Sequence, residues 1–154
     1  MIGDVLIHPL DVLRWLLGPL HVLAARAGRL CPSIRGDDHA VILLGMRTGW
    51  GVLDGSYVAP GAPATPSDRL ELLGTHGCAR LQGDTLRIDG SRAANERFDL
   101  DAGYGASYAA AIAHFADALA RGTPFETDPF DHVQTLALVD EAYRAAGTNG
   151  ARTR

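Results

Sequence analysis

Apolar residues near the start of the chain have the spacing of an α-helix. Only two of the nine positions from Pro9 to Leu17 are polar, which is typical of a largely buried helix. Proline suits a first helical turn, and Gly18-Pro19 suits a helix end. The pattern predicts a helix over residues 9–17, with Asp4 on an irregular turn or an extended lead-in before it.

Apolar runs with turn residues between them predict strands through the middle of the chain. One strand is expected over residues 20–27, and the most distinct hairpin joins residues 38–46 to residues 50–59. The segment 60–67 contains three prolines and is expected to be a loop. Glycine-containing turns separate three shorter strands, which predict a meander over residues 68–73, 78–81 and 85–88.

Two further helices are predicted after a polar segment around residues 92–101. The first has an apolar stripe at helical spacing that should face the core, formed by Tyr108, Ile112, Phe115 and Leu119. Gly122 suits its C-terminal cap. The second begins at Asp128 and Pro129 and ends near Gly147.

The order of these elements predicts the fold class. One helix, a run of antiparallel strands and two helices indicate an α+β domain over residues 1–147, with residues 148–154 as a frayed tail. The sheet is expected to be open and mainly antiparallel, with helices packed on one face.

The other face of this sheet is expected to be covered as well. Residues 41–44 are apolar at every position, whereas a strand with one wet face alternates. A second copy of the chain is the natural cover, which predicts a homo-oligomer built through the sheet face with well over ~1,000 Å² buried. The alternative cover is the chain's own loop, residues 60–67.

Composition and charge narrow the class of protein. The 154 residues are 47% hydrophobic and 21% charged, which indicates a folded domain. The formal net charge of -4 and the lack of a basic cluster argue against nucleic acid or an anionic membrane as a partner. Without an apolar run of roughly 20 residues or a signal-peptide start, a cytoplasmic location is expected. Cys31 and Cys78 are expected to be reduced thiols.

Some chemistry is excluded by residue type. All 14 cationic side chains are Arg, so no residue can act as a catalytic lysine. The histidines show no metal-ligand spacing, and no serine or cysteine triad is evident, so no metal site is predicted.

The candidate chemistry lies at Asp4, His8 and Asp11. An imidazole suits proton transfer near neutral pH. His8 is the candidate base, and Asp4 would orient it or bind a hydroxyl group of a ligand directly. Asp11 would support substrate binding, or it is simply a charge at the start of the helix. An isolated His in an apolar run is also often a packed core residue.

Four segments resemble the C-terminal domain of the Gfo/Idh/MocA family of sugar and polyol oxidoreductases. These segments occur in the same order as in the family and cover nearly the whole chain. They are GDVLIHPLDVLRWLLGP, DDHAVILLGMRTGWGVLDGSYVAP, DRLELLGTHGCARL and FADALARGTPFETDPFDHVQTLALVDEAYRAA.

The resemblance implies a dinucleotide-binding Rossmann domain followed by an α+β domain that closes the substrate pocket and carries the oligomer contact. The family's D-x-x-x-H pair lies beside the substrate and corresponds here to Asp4 and His8, with Asp11 three residues further on. The family's Gly-rich phosphate loop and E-K-P lysine are absent from this chain. The near match from Gly103 to Tyr108 lacks the third glycine of a dinucleotide loop.

Three functions follow from this sequence. The first is the substrate-binding and oligomerisation half of an NAD(P)-dependent sugar or polyol oxidoreductase, inactive in hydride transfer alone because NAD or NADP is held by a Rossmann domain or subunit elsewhere. The second is a cofactor-independent isomerase, dehydratase or cyclase that uses His8 and Asp4 for proton transfer. The third is a non-catalytic oligomerisation or ligand-binding module.

Overall fold

The computed structural model describes residues 1–62 and 68–147, so the predicted tail and residues 63–67 of the predicted loop lie outside the described residues. In chain order the elements are a π-helical turn (Ile2–Leu6), α1 (Ile7–Leu17), β1 (Leu20–Gly28), β2 (His39–Met46), β3 (Gly49–Ser56), β4 (Arg69–Gly74), β5 (Gly77–Gln82), β6 (Thr85–Gly90), β7 (Ala94–Arg97), α2 (Leu100–Arg121) and α3 (Pro129–Ala145).

The chain divides into two compact units. The first comprises Met1–Pro60 and the chain from Glu126 onward, and the second comprises Gly61–Phe125. Open antiparallel sheets and three α-helices confirm the α+β class. That residues 1–147 form a single domain stays a prediction.

The first unit is a three-stranded antiparallel sheet with helices on one face. Strand β2 lies between β1 and β3, and its Ile42 is opposite Ala25 and Leu53. This confirms the predicted hairpin. Alternate residues of β2 point toward α1, α3 and the π-helical turn, and together these elements enclose the core, whose buried members include Ile2, Leu6, Leu10, Ala40, Ile42, Leu44, Leu138, Val139 and Ala142.

Helix α1 begins two residues earlier than the sequence predicts and is less buried. Of its residues only Leu10 is fully buried, whereas Val12, Trp15 and Leu16 are 51%, 84% and 43% exposed. The prediction of a largely buried helix is therefore wrong. The helix ends as expected at Gly18, whose φ of +82° suits glycine and whose N–H donates to the Arg14 carbonyl at 2.9 Å.

The second unit contains the predicted meander and one long helix. Strands β4 to β7 pair in sequence order, and β7 is an additional strand within the polar segment around residues 92–101, for which no strand is predicted. Helix α2 is capped by Asp99 and by Gly122. Its stripe is 55–70% exposed at Tyr108, Ile112, Phe115 and Leu119, so the prediction that it faces the core is wrong. Helical spacing predicts a shared face but not what covers it.

None of the helices in the described residues has the length and hydropathy required to span a bilayer.

The connection between β1 and β2 is organised by the buried side chain of Asp38. Its carboxylate accepts hydrogen bonds from the N–H groups of Leu30 and Cys31 at 2.8 and 2.6 Å and contacts His39 Nδ1 at 2.8 Å. Burial by itself raises the pKa of this carboxyl, but these hydrogen bonds outweigh it and lower the pKa to about 2. The Asp38 carbonyl accepts from the Tyr57 N–H at 2.8 Å, which fixes the chain at the end of β3.

Replacing Asp38 with Asn is expected to lower the Tm at neutral pH, because the N–H groups of Leu30 and Cys31, whose hydrogen bonds to Asp38 are partly buried, lose their charged acceptor. Since the folded pKa lies near 2 and the unfolded value is about 3.9, the carboxylate stabilises the fold fully at pH values above the unfolded value. That contribution is lost as the pH falls through the folded pKa. Circular dichroism melts should therefore show a Tm difference that is full at pH 7 and shrinks in acid.

The control is Asp54→Asn, which removes an equal charge from an exposed position of β3. A Tm difference between wild type and Asp38→Asn that does not change with pH would contradict this assignment.

Candidate functional site

The turn that carries Asp4 is anchored in the core by its apolar residues. Leu6 N–H donates to the Met1 carbonyl at 3.1 Å, five residues back, which gives the turn its π-helical character. Ile2 and Leu6 are buried, whereas Gly3, Asp4 and Val5 are exposed. Of the two predicted placements for Asp4, the structure shows the irregular turn, and it presents the carboxylate on the surface.

Tyr57 binds this carboxylate from the end of β3. Its hydroxyl donates to Asp4 Oδ2 at 2.5 Å, and its side chain is 45% exposed. The pKa of Tyr57 is raised to about 12. Partial burial is the largest cause, and the hydrogen bond to the Asp4 carboxylate and the charge of that carboxylate act in the same direction. At neutral pH the phenol is therefore a neutral donor to Asp4.

Tyr143 and Asp37 support the same turn from its other side. Gly3 N–H donates to the Tyr143 hydroxyl at 3.2 Å, and that hydroxyl donates to Asp37 Oδ1 at 3.0 Å. Asp37 Oδ2 accepts from Ile2 N–H at 2.7 Å. Burial raises the pKa of Tyr143, and its hydrogen bond to Asp37 adds to this rise. These bonds fix the backbone on which Asp4 sits.

His8 lies in the first turn of α1, and its side chain is exposed. The alternative interpretation of His8 as a packed core residue is therefore wrong. It lies four positions after Asp4, in the α-helix that directly follows the π-helical turn. Within the described residues no hydrogen bond joins the two side chains. Asp4, Tyr57 and His8 are all exposed to solvent.

Asp11 has a structural role that the sequence did not predict. Its Oδ1 accepts from the Thr135 hydroxyl at 2.6 Å and from Arg14 at 3.4 Å, and Arg14 also binds Asp131 at 2.7 Å. This network joins α1 to α3. Since α1 begins at Ile7, Asp11 is not in the first turn, and its interpretation as a helix-start charge is wrong. Substrate binding by Asp11 stays a prediction.

Sequence reasoning missed Tyr57, Tyr143 and Asp37. Tyr57 lies in the strand predicted over residues 50–59, and Tyr143 lies in the helix predicted from Asp128 to near Gly147. A signal was available, because a tyrosine in an apolar pattern usually needs a hydrogen-bond partner for its hydroxyl. Nothing in the sequence identifies Asp37 as that partner, since 106 positions separate it from Tyr143.

The near match to a dinucleotide loop is part of a helix. Gly103 and Gly105 lie inside α2, and Gly103 N–H donates to the Asp99 carbonyl at 2.8 Å as part of the helix. A phosphate-binding loop needs such N–H groups free at a strand-to-helix turn. Among residues 1–62 and 68–147, no three His, Cys, Asp or Glu side chains are grouped as metal ligands.

Comparison with curated proteins identifies relatives along almost the whole chain. It is 33% identical over 163 residues to the D-apiose dehydrogenase of Rhizobium rhizogenes, covering 95% of this chain and 46% of that protein. The D-apiose dehydrogenase of Paraburkholderia graminis is also 33% identical, over 159 residues that cover 95% of this chain and 42% of that protein. The chain thus spans less than half the length of these curated relatives.

Solved structures share the fold. An oxidoreductase from Agrobacterium radiobacter, in complex with NAD+, L-tartaric acid and magnesium, superposes with a TM-score of 0.83 at 31% identity, over 96% of this chain and 47% of that one. The WlbA dehydrogenase from Bordetella pertussis, in complex with NADH and UDP-GlcNAcA, gives a TM-score of 0.75 at 26% identity, over 92% of this chain and 44% of that one.

The residues that match a family model include the turn, the helix and the hairpin on which the candidate site lies. Residues 1–80, which contain Asp4, His8 and Tyr57, match the model of the GFO/IDH/MocA C-terminal domain. Because this match extends over more than half of the 154 residues, the chain belongs to the GFO/IDH/MocA family of oxidoreductases through its C-terminal domain.

Proposed function

We propose that this chain is the substrate-binding and oligomerisation half of an NAD(P)-dependent sugar or polyol oxidoreductase. The observation that carries the proposal is that Asp4 and His8 are both exposed, Asp4 on the anchored turn and His8 at the start of α1, within the segment that matches the family. The names of the curated relatives support a sugar as substrate. A pair of polar groups held on rigid elements is suited to orienting hydroxyl groups.

In this proposal His8 handles the proton of the reacting hydroxyl. A neutral imidazole accepts a proton near neutral pH, and the exposed position of His8 leaves its ring accessible to a ligand. Asp4 accepts a hydrogen bond from a substrate hydroxyl. NAD or NADP is assigned to a Rossmann-type domain or subunit that pairs with this chain, because Gly103 and Gly105, the near match to a dinucleotide loop, lie inside α2.

The open face of the first sheet supports the proposal of a homo-oligomer. Val41 and Val52 alternate with the core residues of their strands and are 41% and 59% exposed, and Trp50 on β3 is 73% exposed. Leu23, at the bulge of β1, is 52% exposed. Exposed apolar residues on one sheet face are typical of an interaction surface. A second copy that presents the same face would form a two-fold dimer.

The isolated chain is expected to bind a sugar through the candidate site. In a titration with D-apiose, amide shifts in two-dimensional NMR spectra should be largest around Asp4 and His8. His8→Ala should weaken binding roughly tenfold, the effect of losing one hydrogen bond to a polar ligand. The control His76→Ala removes an exposed histidine from the turn before β5 and should have no effect.

Two results would contradict the proposal. Shifts confined to other surfaces would mean that Asp4 and His8 do not form the site. Conversion of the sugar without added NAD(P) would instead support the hypothesis of a cofactor-independent isomerase, dehydratase or cyclase.

NADH is expected to show no saturable binding to the isolated chain, because the glycines Gly103 and Gly105 lie within a helix. The measurement is a fluorescence titration of NADH, with sugar oxidation assayed in parallel by NAD+ reduction, for which no rate is expected. Saturation of the fluorescence change would overturn the assignment of the dinucleotide to another domain or subunit.

Val52→Asp is expected to dissociate the oligomer, since it buries an unpaired charge in the proposed interface. Sedimentation equilibrium should give a multiple of 16.3 kDa for the wild type and the monomer mass for the variant. The matched control is Val133→Asp, because Val133 is equally exposed at 60% but lies on α3. A monomeric wild type, or a Val52→Asp variant that stays associated, would contradict the interface.

A further inference from the structure

The geometry points to Tyr57 as a residue that positions Asp4 and also accepts a hydrogen bond from a ligand hydroxyl. Together the two residues select a ligand with a vicinal diol. This inference rests on the proposed function and deepens it, because it names the ligand feature that the site recognises. The observation behind it is the hydrogen bond from the Tyr57 hydroxyl to Asp4 Oδ2 at 2.5 Å, made at the surface between two exposed groups.

The hydrogen-bond inventory of the pair explains the selectivity. The single proton of the Tyr57 hydroxyl is donated to Asp4 Oδ2. Within the described residues no hydrogen bond reaches Asp4 Oδ1, and no group donates to the Tyr57 oxygen. The pair therefore presents two acceptors side by side and no donor. Two adjacent hydroxyl groups of a ligand supply the two donors that this arrangement needs.

Both members of the pair are held by the same short segment of chain. The Tyr57 N–H donates to the carbonyl of Asp38, whose buried carboxylate is bound by N–H groups of the preceding loop. The turn that carries Asp4 is held by the Asp37 carboxylate through Ile2 N–H. Since residues 37 and 38 are adjacent, the position of the phenol is fixed relative to the carboxylate before a ligand arrives, which lowers the cost of binding.

The competing interpretation is that Tyr57 is only a brace for the turn. A brace would change the stability of the fold, and its loss would weaken every ligand of the site to a similar degree. A residue that contacts the ligand hydroxyl changes the ratio of affinities between ligands with and without adjacent hydroxyl groups. The ratio is therefore the quantity to measure.

The experiment uses the full chain and two neutral probes, meso-erythritol, which has vicinal hydroxyls, and 1,4-butanediol, which has none. NMR titrations should show that the wild type prefers erythritol. Tyr57→Phe should reduce the erythritol affinity roughly fivefold to tenfold, the effect of one lost hydrogen bond, and leave that of butanediol unchanged. Tyr108→Phe is the matched control, because this exposed tyrosine lies on α2 in the other unit.

A second measurement tests the hydrogen bond itself in solution. The absorbance of tyrosinate is followed in alkaline titrations of the wild type and of Asp4→Asn. The removal of the negative charge at Asp4 should lower the pKa of one tyrosine, and that transition should be absent in Tyr57→Phe. Titration curves of wild type and Asp4→Asn that coincide would overturn the inference.

The outcomes separate the inference from the proposed function. If the wild type prefers erythritol and Tyr57→Phe keeps that preference, the role of Tyr57 is overturned while the sugar site stands. If the wild type binds neither probe at Asp4 and His8, both the site and the role of Tyr57 are overturned. Loss of the preference in Tyr57→Phe, with an unchanged far-ultraviolet spectrum, supports both.

Discussion

The carboxylates of Asp37 and Asp38, directly before β2, accept the hydrogen bonds that position the segments around the candidate site. Asp38 binds the N–H groups of the preceding loop, and its carbonyl binds Tyr57 N–H. Asp37 binds the turn at the start of the chain and the hydroxyl of Tyr143 on α3. A buried N–H without an acceptor costs about 1–3 kcal/mol. These hydrogen bonds therefore fix the backbone of the π-helical turn, of the loop between β1 and β2, and of the residue that follows β3.

The balance between burial and hydrogen bonding sets the electrostatics of the site. For Asp38 the hydrogen bonds outweigh burial, and the pKa falls to about 2. For Tyr57 burial and a neighbouring carboxylate act in the same direction, and the pKa rises to about 12. The result at neutral pH is a set of charged acceptors and neutral phenols, in which each buried side-chain polar atom of the described residues has a partner. Such a set can bind hydroxyl groups without large rearrangement.

Apolar residues remain exposed on both units. In the first unit they lie on the open sheet face and on the outer side of α1, and in the second they form the stripe of α2. The chain covers less than half the length of its curated relatives. Exposed apolar patches of this kind are typical of interaction surfaces, which agrees with the proposal of further protein partners.

The local sequence pattern determined the helices and strands, whereas contacts between residues far apart in sequence determined the candidate site. The sequence alone predicted the α+β class, the hairpin of β2 and β3, the meander, and the caps at Gly18, Gly122 and Asp128, because these depend on alternation and turn chemistry among near neighbours. It also singled out Asp4 and His8, through their spacing and a family resemblance.

Only the tertiary structure decided the partners of these residues. The hydroxyl of Tyr57 reaches Asp4 across 53 positions, and Thr135 reaches Asp11 across 124. Periodicity defines which side chains share a face but not which surface meets that face, so the exposure of α2 could not be predicted either. The physical reason is that hydrogen bonding and burial depend on distances in space, which the folded chain sets through its whole core.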